Sequence, residues 1–206
     1  MEGGDLSKGQ YPVMEQFNTL QGEGYNAGKP AYFIRLAGCD VGCTWCDVKE
    51  SWSAEEHPVK DTGVIVEHAL ASGSPNVVIT GGEPCMYQLN DLTSSLKEHD
   101  INTWLETSGA HPISGDWDWL VLSPKKFKAC LPESYSKAHE LKLIIANRND
   151  FKWAEKHRDL VSDDCLCYLQ PEWSRKEKLL PLIIEYIKTN PHWNLSLQSH
   201  KYIDIP

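Results

Sequence analysis

The sequence has no run of about 18 consecutive apolar residues, and Met1 to Asp5 lack the basic and apolar regions of a secretory leader. Neither a bilayer span nor an export signal is expected. Basic residues are not in excess either: 20 Lys and Arg face 29 Asp and Glu, a formal net charge of −9. That sign opposes attraction to nucleic acid or to an anionic membrane and favours a small-molecule or protein partner. Repeats, low-complexity tracts and long linkers are absent. The 206 residues are therefore expected to form one domain, 1–206, large enough to hold a core without metal or disulfide staples. The seven cysteines are an odd number in a chain of this length, which disfavours a disulfide framework. A reducing cytoplasm with free thiols or thiolate ligands is expected instead.

What is present is a series of short β-like runs: Val13 to Phe17, Tyr32 to Ala37, Asn76 to Thr80, Asn102 to Glu106, Trp119 to Leu122, Glu140 to Ile145, Leu166 to Gln170 and Trp193 to Gln198. Several are nearly continuous in apolar residues, as buried parallel strands are. Amphipathic helical spacing lies between some of them, at Val64 to Ala69, Leu89 to Leu96 and Leu179 to Ile187. Alternating strands and helices predict an α/β fold, in which ligands gather at the carboxyl ends of the strands.

Gly38-Cys39-Asp40-Val41-Gly42-Cys43-Thr44-Trp45-Cys46-Asp47 follows one such strand and brings three thiols into one loop, separated by three and then two residues. Structural zinc wants four protein ligands, and no second Cys-x-x-Cys or His-x-x-x-His pair completes the set. A four-iron cluster on three cysteines leaves one iron open to an exogenous ligand. Both readings stand on spacing alone, the zinc one requiring a distant fourth ligand. Cys165 and Cys167, one residue apart on a strand, read as core thiols.

The spacing, with Trp45 before the last cysteine, resembles the radical S-adenosylmethionine enzymes. Further segments occur in the order of the 7-carboxy-7-deazaguanine synthase family: Leu20-Gln21-Gly22-Glu23-Gly24, Arg35, Thr80-Gly81-Gly82-Glu83-Pro84, Glu106-Thr107-Ser108-Gly109, Ser123-Pro124-Lys125, Glu140-Leu141-Lys142, Gln170-Pro171 and Leu195 to Lys201. The resemblance covers almost the whole chain. It implies a partial TIM-like barrel of about six strands with reduced outer helices. It also implies a lyase that converts 6-carboxy-5,6,7,8-tetrahydropterin to 7-carboxy-7-deazaguanine with loss of ammonia, in queuosine-type deazapurine biosynthesis.

By the same resemblance Cys39, Cys43 and Cys46 hold a 4Fe-4S cluster. Gly82, Glu83, Glu106, Ser108, Ser123, Pro124, Lys125 and Gln170 contact S-adenosylmethionine, and Thr44 offers an oxygen to Mg²⁺. Leu20, Gln21, Gly22, Glu23, Arg35, Thr80 and the Pro206 carboxylate contact the pterin. The residues alone leave alternatives: a threonine capping its loop at Thr44, and a buried ion pair at Arg35. Lys201 reads as a solvated charge, and His200 has no assigned task. A flavodoxin or ferredoxin-type electron donor and a homodimer are the expected protein partners. The competing readings are a glycyl-radical activase and a noncatalytic zinc or iron-sulfur binding module.

Overall fold

In the computed structural model, which describes residues 7–206, nine strands form one mostly parallel sheet. In chain order they are β1 (Gln10–Leu20), β2 (Pro30–Leu36), β3 (Val59–Asp61), β4 (Asn76–Gly81), β5 (Asn102–Thr107), β6 (Trp119–Leu122), β7 (Glu140–Ile145), β8 (Leu166–Pro171) and β9 (Trp193–Leu195). Across the sheet they run β3-β1-β2-β4-β5-β6-β7-β8-β9. β2 and β4 to β9 are parallel, while β1 lies antiparallel between β2 and β3. The expected strand number, about six, is exceeded because β1 and β3 add an antiparallel margin and β9 adds three residues at the other edge. β3 and β9 are edges, so strand pairing does not close the sheet.

The period of two along each strand divides the residues between two environments. Ile34 and Leu36 of β2, Leu105 of β5, and Leu141, Leu143 and Ile145 of β7 face the main core. There they meet Ile65 and Ala69 of α1 (Thr62–Ala71), Leu92 and Leu96 of α2 (Asn90–Lys97), Phe151 and Ala154 of α4 (Asn149–Arg158), and Leu179 and Ile183 of α5 (Lys176–Thr189). The intervening residues face the other way. Ala31, Phe33, Val78 and Trp104 make a small second cluster there, and the remaining positions, Arg35, Thr80, Glu106, Lys142 and Gln170, line a cavity. β5 reaches β6 without a helix, and β6 reaches β7 through the single turn α3 (Pro132–Tyr135).

The last segment departs from the strand expected over Trp193 to Gln198. Pairing stops at Leu195, and Ser199–Ile203 forms a short helix, α6. The backbone amide of Ser196 still donates to Leu169, but that of Ser199 donates instead to Gly22 beyond β1, so the chain turns across the carboxyl ends of the strands.

Candidate functional site

The cavity, about 850 Å³, opens where the parallel strands end. One wall is the loop after β2. Its backbone is fixed from behind, where the amides of Gly38 and Cys39 donate to the carbonyls of Ser51 and Trp52. Cys39, Cys43 and Cys46 are free thiols that pack around Val41 and Ala110 and line the cavity, with Thr44 beside them. Burial pushes the thiols of Cys39 and Cys43 up, the latter to about 11, so neither ionises at neutral pH until a positive partner arrives. Three soft donors from one loop, facing a roomy cavity, suit an iron-sulfur cluster. Among the described residues no three His, Cys, Asp or Glu side chains are placed to share one metal ion. The thiolates of a cluster each bind a different iron and need not converge on one point.

The loop after β4 touches this wall backbone to backbone. A Cβ on Gly82 would lie 2.3 Å from the Gly38 carbonyl oxygen, so only glycine permits the approach that lets Gly82 and Glu83 donate to Leu36 and Gly38. Glu83 is 1% exposed. Its carboxylate accepts from Cys85 N at 3.1 Å, Thr107 Oγ1 at 2.5 Å, Ser108 N at 2.9 Å and Ser108 Oγ. Glu83 thus clamps the ends of β4 and β5 together from a fully engaged position, and Ser108 spends its hydroxyl proton on that clamp.

The floor is a buried charge network that the strand pattern alone did not assign. Lys142, its side chain 5% exposed, pairs with Glu23 and reaches Glu106 at 3.5 Å. Gln21 Nε2 donates to Glu106 at 2.8 Å, and its Oε1 accepts from Glu23 N at 3.1 Å. Burial would raise the Glu23 carboxyl, but the Lys142 ammonium overcomes it and holds Glu23 below the usual carboxylate range. Burial likewise opposes the Lys142 charge, and Glu106, Glu23 and Glu140 together outweigh it, raising the lysine above its ordinary value. Arg35 donates from Nε to Glu15 at 2.6 Å, but Glu15 is exposed, so this is not the buried ion pair weighed from the sequence. Its terminal nitrogens have no hydrogen-bond partner among the described residues, and Arg35 lines the cavity.

Glu140 lies one pleat below Lys142. Its Oε2 accepts from Tyr25 N and Trp119 Nε1, both at 3.1 Å, while its Oε1 is buried without a partner. Gly24, at φ +63°, allows the loop to pass over that oxygen, which a Cβ would approach to 1.9 Å. Burial raises the Glu140 carboxyl from 4.5 to about 6. A raised folded-state value adds stability that is complete below about pH 4.5 and lost as pH rises through about 6. Glu140→Gln is expected to be more stable than the parent by up to about 2 kcal/mol at pH 8 and nearly equal to it near pH 5. Urea unfolding at the two pH values checks this; an equal difference at both would refute it.

The remaining expected residues fall around the same space. Lys125, whose charge is disfavoured by burial, donates to Ser123 Oγ at 2.5 Å. Gln170 Oε1 accepts from Ser196 Oγ at 2.6 Å. Leu20, Gly22, Thr80 and Pro206 also line the cavity, Pro206 accepting through its backbone oxygen from Thr19 Oγ1. Pro124 alone of the set lies outside it, in a smaller neighbouring pocket. Lys201 is not a solvated charge: it pairs with Asp47, next to Cys46, and sits over the Trp173 ring, 5.1 Å from its centroid. His200 packs on Gly22, and burial lowers its basicity. Lys142, Asp47, Trp173 and Lys201 are among the cavity residues to which sequence reasoning assigned no binding role. A usable signal existed for Lys142, since Glu140 and Lys142 are charges two apart in an otherwise apolar strand.

No family model matches the chain. A 7-carboxy-7-deazaguanine synthase of Flavobacterium psychrophilum is 51% identical over 202 residues, covering 98% of this chain and 96% of its own. One from Synechocystis sp. is 46% identical over 195 residues, covering 95% and 93%, and one from Escherichia coli is 35% identical over 223, covering 95% and 99%. The crystal structure of QueE from Escherichia coli matches with a TM-score of 0.82 at 33% identity, over 93% of this chain and 95% of that one.

Proposed function

The chain belongs to the 7-carboxy-7-deazaguanine synthase family of radical S-adenosylmethionine enzymes, and on that premise we propose that its cavity converts 6-carboxy-5,6,7,8-tetrahydropterin to 7-carboxy-7-deazaguanine with loss of ammonia. The observation that carries the reading is that the three thiols of one loop open onto the same cavity as Gln21, Glu23, Glu106, Lys142 and Arg35. When bound, the cluster and S-adenosylmethionine would supply the radical chemistry that the ring rearrangement needs. Cys39, Cys43 and Cys46 would hold the cluster.

The chain's own residues bind and orient. Gly82, Glu106, Ser108, Ser123, Lys125 and Gln170 would surround the cofactor, with Glu83 fixing the loop they share and Pro124 shaping the turn behind it. Glu23 and Glu106 offer acceptors to the amino edge of a pterin, and Gln21 holds them in register. Arg35 keeps its two terminal nitrogens for the substrate carboxylate, its Nε being committed to Glu15. Thr44 would give Mg²⁺ one oxygen, the rest coming from substrate and water. Leu20, Gly22, Thr80 and Pro206 complete the substrate wall.

Residues 1–206 are read as one radical S-adenosylmethionine domain in the cytoplasm. Its sheet is read as a partial barrel, supported by the hydrogen bonds from Gly24 to Ser196 and from Ser199 to Gly22 that tie the two ends of the sheet across the cavity. A homodimer would cover exposed apolar side chains of β3 and α1 such as Val59 and Val64. Anaerobic reconstitution with iron and sulfide tests the assignment. The reduced protein is expected to give a four-iron paramagnetic resonance signal that S-adenosylmethionine alters, and product should form from carboxytetrahydropterin. Tightly held zinc and no cluster would return the chain to a binding module.

A further inference from the structure

β1 carries one irregularity. Val13 pairs with Leu36 and Glu15 with Arg35, so two residues of β1 step past one of β2 and Met14 is the extra residue of a β-bulge. The bulge shifts the alternation of the strand by one position. Before it, Tyr11 and Val13 lie in the main core, each 1% exposed. After it, Phe17 lines the cavity, and Thr19 donates to Pro206, which lines it too. In a regular strand Glu15, Phe17 and Thr19 would continue the face of Tyr11 and Val13.

Glu15 thus stands opposite Arg35, and Phe17 opposite Phe33. The two phenyl rings are stacked, 5.4 Å between centroids and 5° from parallel. Cζ of Arg35 lies 5.9 Å from the Phe17 centroid, while its Nε donates to Glu15 at 2.6 Å. One edge of the guanidinium is therefore held by a carboxylate and one face by an aromatic ring, whose own plane is set by a second ring. The Glu15 side chain is 43% exposed, and an ion pair so open to water adds little to stability. What the two contacts fix is the plane and direction of the guanidinium. With Nε engaged, the two terminal nitrogens make the edge left for a ligand.

We propose that Glu15 and Phe17 are positioning residues that set Arg35 for end-on, two-point binding of a carboxylate, and so make the cavity select a carboxylated pterin over one without that group. This deepens, and rests on, the reading that Arg35 binds the substrate carboxylate. Two parallel N–H···O bonds need the guanidinium and the carboxylate in one plane, and a guanidinium free to rotate keeps only one of them for much of the time.

The test is calorimetry on anaerobically reconstituted, unreduced holoenzyme with S-adenosylmethionine present. It compares 6-carboxy-5,6,7,8-tetrahydropterin with tetrahydropterin, which has no carboxyl group. Glu15→Ala and Phe17→Leu should each weaken binding of the carboxylated ligand about fivefold or more and leave tetrahydropterin within about twofold. Glu15→Gln keeps an acceptor for Nε and should stay within about twofold of the parent for both ligands. Parent affinity for the carboxylated ligand in either Glu15→Ala or Phe17→Leu would overturn the proposal. So would equal loss for both ligands, which marks ring contact or a disturbed strand pair, or Glu15→Gln as weak as Glu15→Ala. Tighter binding in Glu15→Ala would overturn it as well, by showing Glu15 to be only an opposing charge. Arg35→Lys separates the proposal from the reading beneath it and should lose the preference for the carboxylated ligand. A parent protein without that preference, or an Arg35→Lys variant that keeps it, overturns the carboxylate reading, and the positioning role falls with it.

Discussion

Replacing Cys39, Cys43 or Cys46 singly with alanine is expected to abolish bound iron and turnover while leaving the apo-protein folded. All three are free thiols at the cavity wall, and removing one leaves a cluster with two protein ligands and an exposed iron. The apo-protein loses only a small side chain in each case, so its unfolding free energy should change by about 1 kcal/mol or less for the partly exposed Cys39 and Cys46. Cys85→Ala and Cys130→Ala should keep the iron. Cys85 is buried in the main core, and Cys130 packs behind Gly109. Iron and sulfide content after anaerobic reconstitution decides it; loss of iron from either of these two variants would overturn the ligand assignment.

The other large effect is expected at Lys142. Lys142→Met keeps most of the aliphatic volume but strips Glu23 and Glu106 of their shared cation in a buried site, which should cost about 3–5 kcal/mol. The pH dependence should also change sign. In the parent, Glu23 sits below the usual carboxylate range, so its contribution is present above that range and lost as pH falls. Without Lys142, burial is left to raise Glu23, and the variant should instead lose stability as pH rises from 5 to 7. Adding Glu23→Gln should recover part of the loss, a coupling that a double-mutant cycle measures. Additive effects, or an unaltered pH profile, would mean that the network is not held by this lysine. In the active enzyme the expected signature is weaker substrate binding, because the carboxylates that face the cavity would no longer be held in place.

The parts of this molecule that were legible in the sequence are those fixed by local rules. Eight strands could be read because apolar runs such as Asn76 to Thr80 are bounded by glycine and proline, and the polar segments at their ends mark where the cavity forms. The cysteine loop could be read because its three thiols fall within eight residues. α4 was missed because only Asp150, Phe151 and Ala154 of its ten residues are buried, leaving too weak an apolar stripe. β3 has three residues and owes its pairing to β1. The clamp at Glu83 and the pairing of Lys201 with Asp47 join residues far apart in sequence, and no local spacing encodes such contacts. Glu140 and Lys142 lie between these cases: their alternation was visible, but the carboxylates that give it meaning come from β5 and from the loop after β1.

The turn of the last segment across the strand ends bears on the order in which the protein is made. Ser199 reaches Gly22 across 177 residues, and Lys201 reaches Asp47 across 154. Contacts of such span form late, because the intervening chain must first be confined. During synthesis the cysteine loop and the strands that carry it leave the ribosome well before the segment that walls the cavity. Metal delivered at that stage meets an open trough, whereas metal delivered afterwards must pass the rim made by Gln198, Lys201 and Trp173.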